Sequence, residues 1–226
     1  MSGALPELKP FFERYEQQAR EADALFERVR SQYPDLVICK EKCSSCCHAL
    51  FDLSLVEALY LNTEFRKRMG SDAERAAILH EADQTDRKIA KIKRKAFKDS
   101  KEGRDSNAIL TEIASISVRC PLLGKDDLCL LYDARPITCR LYGVPTAIGG
   151  KAHTCGKTGF ERGKPYPTVA LDKVQHRLTE LSRELAAAIG TAYSELALVY
   201  VPVSTALITE YTAEYLGIGG IAKERD

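Results

Sequence analysis

The sequence predicts a mainly α-helical protein, a helical bundle enclosing two cysteine-rich irregular segments that form a metal site. Three observations lead there. Stretches near both ends place apolar residues at three- and four-residue spacing, the period of a helix buried on one side. Strand signals are confined to short pieces around Val118 and from Val144 to Ile148. The eight cysteines fall into two groups, both outside the strongly periodic stretches.

The elements follow in chain order. Leu8, Phe11, Phe12, Tyr15, Ala19, Ala22, Leu25, Phe26 and Val29 mark a helix over 5–33, and Pro34 stops it. Residues 35–51 carry the first cysteine group and no clean period. Ser54 and Glu57 have capping-box spacing, so a second helix starts near Ser54 and runs to about Met69, where Gly70 closes it. Ser71 and Glu74 repeat the pattern before a charged, helix-favouring segment that reaches Lys98 and breaks at Gly103. A shorter helix is expected from Asn107 to Ser117. The region 119–163 is rich in Gly, Pro and Cys and reads as loops with short turns. Helical patterning returns from Thr168 to Ile189 and again from Thr191 to Leu216, where Pro202 should kink or split the helix. Gly217, Gly219 and Gly220 end the ordered part.

Composition limits the function classes. The chain has 226 residues, 45% hydrophobic and 29% charged, proportions of an ordinary globular protein. We read it as one domain, 1–226, with a metal-binding region at 39–156 framed by terminal helices. Lys plus Arg is 33 and Asp plus Glu is 32, a net charge of +1. That balance argues against a protein whose main task is coating nucleic acid. The longest apolar run, Leu196 to Val203, is far short of the roughly 20 residues that span a bilayer. The start, MSGALPELKPFFERYEQQ, lacks the basic and apolar regions of a signal peptide. The expected location is the cytoplasm, where thiols stay reduced and disulfide scaffolds are rare. The expected partner is a protein or a small molecule, not a membrane or a nucleic acid.

Cysteine spacing carries the chemistry. Cys39, Cys43, Cys46 and Cys47 lie within nine residues, the density of ligands that wrap a metal or cluster. The two-residue gap between Cys43 and Cys46 lets both thiolates face one centre. Neighbouring side chains point apart, so Cys46 and Cys47 suit two centres better than one mononuclear site. Cys120, Cys129, Cys139 and Cys155 form the second group, each near Pro, Gly or turn-forming residues whose backbone N–H groups can serve bound sulfur. Eight thiolates suit two four-ligand centres, a cluster plus a zinc, or one larger polynuclear site, and spacing leaves all three open. Lys40, Lys42, Arg135 and Arg140 lie close in sequence and can offset thiolate charge.

These residues resemble the zinc- or iron-chelating CxxCxxCC family, which includes a region of flagellin lysine N-methylase. The resemblance rests on Cys39, Cys43, Cys46 and Cys47, on Cys120-Pro121-Leu122, on Cys129 to Arg140 and on Cys155. Within it, Cys129-Leu130-Leu131-Tyr132 to Arg135-Pro136 and Cys139-Arg140 follow the family's C-x-I-Y-x-x-R-P-x-x-C-R, with Leu131 in place of Ile. The first gap holds three residues where the family has two. The resemblance covers about residues 39–156 and implies chelation of iron or zinc by the eight cysteines. Its members are often described as iron–sulfur proteins. The expected cofactor is therefore an iron–sulfur cluster or iron, with zinc as the alternative. The expected activity is redox or methyl transfer. The rival readings are a metal or cluster carrier without catalysis, and a zinc-stapled interaction module.

Other features have a functional and an ordinary reading. Arg135 and Arg140 are candidates to bind a cofactor or an anionic substrate group, against charge compensation or capping of a helix C-terminus. Tyr132 is a third cofactor-binding candidate, against simple aromatic packing, and Tyr142 has the same two readings. His48 and His153 lie beside cysteines and are possible ligands, whereas His80 and His176 fall in helices and carry no expected chemistry. The basic run Arg87, Lys88, Lys91, Lys93, Arg94, Lys95 and Lys98 is flanked by Asp83, Asp86 and Asp99 and reads as a solvated helix face. No G-x-G-x-x-G, Walker, H-E-x-x-H or G-x-S-x-G motif supports nucleotide binding or hydrolysis.

Overall fold

The computed structural model describes residues 7–161 and 163–219. Helix α1 spans Lys9–Gln32, with a proline in its first turn. Its buried face is Tyr15, Ala19, Ala22 and Val29, as the periodicity predicts. Helix α2 (Leu55–Arg68) begins after Ser54, whose backbone N–H and hydroxyl both donate to Glu57 Oε2, at 3.2 and 3.0 Å. Helix α3 (Asp72–Lys101) begins where the Ser71 hydroxyl accepts from the Glu74 N–H at 3.2 Å. Helices α4 (Ser106–Ser115) and α6 (Leu171–Ala188) also lie where patterning puts them. Between them is the one-turn helix α5 (Ile137–Leu141), and α7 (Val203–Ile208) is followed by turns up to residue 219.

Helix α2 is the centre of the molecule. Ten of its residues, Leu55–Phe65 apart from Thr63, are buried among α1, α6 and α7. Phe65, Leu61, Tyr15, Leu181, Leu185 and Leu207 belong to one continuous core. Its buried polar groups are satisfied. Asn62 donates to the Ala206 and Thr209 carbonyls at 2.8 and 3.1 Å, closing the end of α7. A second, smaller core of Val29, Val37, Val144 and Phe160, with Tyr33 and Tyr166 packed edge-on to Phe160, ties the end of α1 to the cysteine region.

Strands are few and short. β1 (Asp52–Leu53) pairs antiparallel with β5 (Val201–Pro202). β2 (Thr146–Ile148) forms a hairpin with β3 (Lys151–His153) and runs parallel to β4 (Val169–Ala170). The hairpin turns on Gly149 and Gly150, with φ of +55° and +73°, a conformation that favours glycine.

Four expectations need correction. The stretch from Thr191 to Leu216 is not one kinked helix. It forms a 3-10 turn at Leu196–Leu198, then β5, then α7, and Pro202 is the residue before α7 rather than a kink within a helix. Its apolar run is used by strand pairing and core contacts, which outweigh helix propensity. Gly70 does not close α2 with a left-handed turn, since that helix ends at Met69 in extended backbone. The loops of 119–163 contain α5 and the hairpin, and Val118 lies outside any strand. The expected helix start at residue 5, and Gly220, lie outside the described residues. Among the described residues, no helix is long and apolar enough to cross a membrane.

Candidate metal centre

Each cysteine is positioned by local backbone geometry. Cys39 and Cys43 bracket a turn closed by Cys43 N–H to Lys40 O at 3.0 Å, with Lys42 left-handed at φ +66°. That turn absorbs the three-residue gap. Cys46 and Cys47 lie in the 3-10 turn Ser45–His48, and their thiols stay within hydrogen-bond reach of each other rather than pointing apart as the sequence suggests. The Cys39 thiol donates to Tyr142 O at 3.6 Å. It rests against Gly143, where a Cβ would come within 2.3 Å of the sulfur and where φ is +107°. Only glycine fits that cradle.

The two segments are joined through backbone. Val118 N–H donates to His48 O at 3.1 Å, and Cys120 N–H donates to Cys47 O at 2.7 Å. Cys120 and Cys129 are brought together by a reversing loop, with Gly124 N–H on Leu128 O at 2.7 Å, Leu130 N–H on Leu122 O at 2.9 Å and Asp127 at φ +61°. Cys139 lies on α5. The first residue of that helix, Ile137, donates its N–H to Glu57 Oε1 at 3.1 Å. One buried carboxylate thus accepts from the starts of both α2 and α5. Burial raises the Glu57 pKa, opposed by its bonds from Ile137 and Ser54. Cys155 opens a turn in which the Thr158 N–H and hydroxyl both donate to its carbonyl.

Seven of the eight cysteines, all but Cys155, line one cavity of about 700 Å³. This volume lies within the ~300–1,000 Å³ range of small-molecule pockets and far exceeds what one bare ion occupies. Among the described residues, no three cysteine, histidine or carboxylate side chains already converge as a metal-binding group. All eight cysteines are partly buried free thiols.

Burial holds most of the thiols protonated. Cys139 is pushed well up by burial and then by the charges of Cys46, Cys120 and Cys129. Cys120 is raised to about 12, chiefly by burial, and Cys39 to about 11 by burial and then by Cys43 and Cys155. Cys47 is raised and its neighbour Cys46 lowered, first through the hydrogen bond between them. The Arg135 charge adds to the lowering of Cys46. A divalent cation would reverse this balance, because coordination favours the thiolate and releases the proton. The donor set therefore fits a thiolate-bound metal: soft sulfur ligands around a partly buried space, with a cation beside it.

Arg135 is that cation. Its guanidinium lies 3.6 Å from the centroid of the exposed Tyr132 ring, its Nε donates to Tyr132 O at 2.9 Å, and its charge favours the thiolates of Cys46, Cys129 and Cys139. Arg140 is buried and its fork is engaged by protein groups: Asp23 on α1, Asp133 O and, at 2.9 Å, Arg135 O. It braces the turn that carries Arg135 against α1. Tyr142 also lines the cavity. His48 Nδ1 is 3.0 Å from Ser44 O, and His153 is exposed on β3. His80 and His176 are exposed on α3 and α6. In the basic run, Lys93 pairs with Asp52, Lys95 with Asp99 and Glu112, Lys98 with Glu102, and Arg87 with Asp83.

Three contributors escape sequence reasoning: Gly143, Asp23 and the reach of Glu57 to Ile137. A glycine so near the Cys139 motif is a weak signal of close approach. The other two pairings span 117 and 80 residues and have no local signature.

A helical frame that gathers seven thiols around one cavity defines a cysteine-based metal-chelating protein. Residues 38–156 match the model of the CxxCxxCC family, described as a "putative zinc- or iron-chelating domain", and the chain belongs to that family. No curated protein and no solved structure matches the chain.

Proposed function

We propose that this protein carries a thiolate-bound iron–sulfur centre in the cysteine-lined cavity and acts there in redox or methyl-transfer chemistry. The observation that carries this reading is the gathering of seven thiols around about 700 Å³. One closed structural zinc needs four ligands and no such space. An iron–sulfur centre, when bound, supplies an electron couple whose potential depends on burial and on hydrogen bonds to sulfur. The chain's own residues do the rest. Arg135 offsets thiolate charge, Arg140 holds the Arg135 turn, and Glu57 fixes the start of the helix that bears Cys139. Free thiols throughout support a reducing compartment such as the cytosol.

The test is protein purified without oxygen, with its absorption spectrum and its iron, zinc and acid-labile sulfide per chain. Broad absorption near 400 nm with matched iron and sulfide is expected. Zinc with neither colour nor sulfide overturns the iron–sulfur reading and favours a metal-stapled interaction module.

A further inference from the structure

We infer that the cavity continues past the thiols into an uncharged arm that binds a small apolar molecule carrying one neutral hydroxyl group, received by Thr85 and Ser204. This deepens the reading above by naming the class of molecule that would meet the metal centre. It rests on that reading only for what stands at the thiol end.

The lining of the cavity divides along the chain. Every charged residue on it lies within 23–42 or 119–140. The part walled by Phe51, Leu61, Ile89 and Val203 holds no thiol, imidazole, carboxylate or cation, so it offers nothing to a metal. Its polar side chains are the hydroxyls of Thr85 and Ser204.

Bonds behind the wall hold these residues together. Asp52 pairs with Pro202, which sets Phe51, just before β1, near Val203, just after β5. Lys93, one turn along α3 from Ile89, holds Asp52 at 2.7 Å. Asn62, next to Leu61, donates to Ala206 O at 2.8 Å. Ser204 donates to Oδ1 of Asp86, the neighbour of Thr85, at 3.1 Å. The segment from Cys47 to Phe51 joins the thiols to this wall and reaches at most about 14 Å.

Thr85 marks where the ligand bonds. On their helices, the Thr63, Thr111 and Thr179 hydroxyls each donate to the carbonyl four residues back. The Thr85 hydroxyl makes no such bond and has no partner among the described residues, although Thr85 is only 7% exposed. It faces the cavity rather than the sealed core. A buried hydroxyl without a partner is costly, so a ligand group that bonds it is favoured. Ser204 already donates to Asp86, so its oxygen can only accept. A ligand hydroxyl satisfies both, accepting from Thr85 and donating to Ser204. A carboxylate does not. Beside the arm, Arg119 is engaged by Glu81 and Leu123 O, and Lys93 by Asp52, while the Asp86 carboxylate stands behind Ser204.

The experiment is fluorine NMR titration of the full chain, purified without oxygen, with 4-fluorobenzyl alcohol, 4-fluorotoluene and 4-fluorobenzoate. The probes share one ring and differ in the polar group. The alcohol should bind most tightly, and the benzoate at least roughly tenfold more weakly. Thr85→Val should weaken the alcohol roughly three- to tenfold, the effect of one lost hydrogen bond, and leave 4-fluorotoluene unchanged. Ile89→Phe should fill the arm and weaken both neutral probes further. Metal and sulfide per chain should keep the wild-type count in both variants. If Ile89→Phe fails to fold, Thr85→Val and the probe series still decide. Three results each overturn the arm: no binding of either neutral probe, benzoate binding as tightly as the alcohol, or equal weakening of both neutral probes by Thr85→Val. Thr85-dependent binding of the alcohol to a zinc-loaded or metal-free chain sustains the arm and overturns the iron–sulfur reading. An iron–sulfur chain that binds no neutral probe does the reverse.

Discussion

The helical frame and the cysteine segments are stabilised in different ways. The frame is a packed apolar interior, with Phe65, Leu181, Leu185 and Leu207 almost wholly buried around α2. The first cysteine segment has only the small Val37, Val144 and Phe160 core and a set of backbone bonds, the second is anchored in the main core by Leu122, Leu131, Ile137 and Leu141, and all eight cysteines are only partly buried. A frame of that kind folds by apolar burial. Segments of the second kind remain incomplete until a ligand supplies the missing enthalpy. The difference places stability in one region and chemistry in the other.

Metal removal tests this contrast most strongly. Chelation under reducing conditions should erase hydrogen-exchange protection across 39–50 and weaken it across 118–156, where Ile137 and Leu141 stay in the main core, while α2 and α6 keep theirs. Loss of protection everywhere would show that frame and segments are one cooperative unit. Next, Phe65→Ala should cost about 3–5 kcal/mol in denaturant unfolding, from lost burial and the cavity left behind. A cost below 1 kcal/mol would mean that α2 is not the organising helix.

Glu57 joins the two regions, so its loss should affect both. Glu57→Ala leaves the Ile137 and Ser54 N–H groups without their acceptor, at about 1–3 kcal/mol. It should also weaken metal retention through Cys139. Burial raises the Glu57 pKa in the folded state, so the folded protein holds that proton at pH values where the unfolded chain has released it. Its contribution to stability is therefore full below the ordinary carboxyl range and lost as pH rises through the folded value. Metal-free Glu57→Gln should show a flatter stability profile over that window, measured by urea unfolding. An unchanged slope would remove Glu57 from the account. The smallest effect is expected for Lys93→Ala with Arg94→Ala. The half-exposed Lys93–Asp52 pair is worth about 0–1 kcal/mol, and metal content should not change. Metal loss there would mean that the basic face of α3 serves the site.

Local signals in the sequence were sufficient for the frame. The apolar spacing from Leu8 to Val29 gives α1, Ser54 with Glu57 and Ser71 with Glu74 start α2 and α3, and the cysteine pattern identifies the chelating family. Each depends on residues within a turn or two of one another, where backbone geometry makes spacing and contact equivalent. Tertiary structure alone decided the rest. It made a strand and a short helix of the stretch around Pro202, because Asp52 and Leu53 offered a pairing partner about 150 positions away. It carried Glu57 to Ile137 and Arg140 to Asp23, and it set Cys120 against Cys47. Such contacts arise from how the whole chain fills space and satisfies its buried polar groups, and no local spacing encodes them.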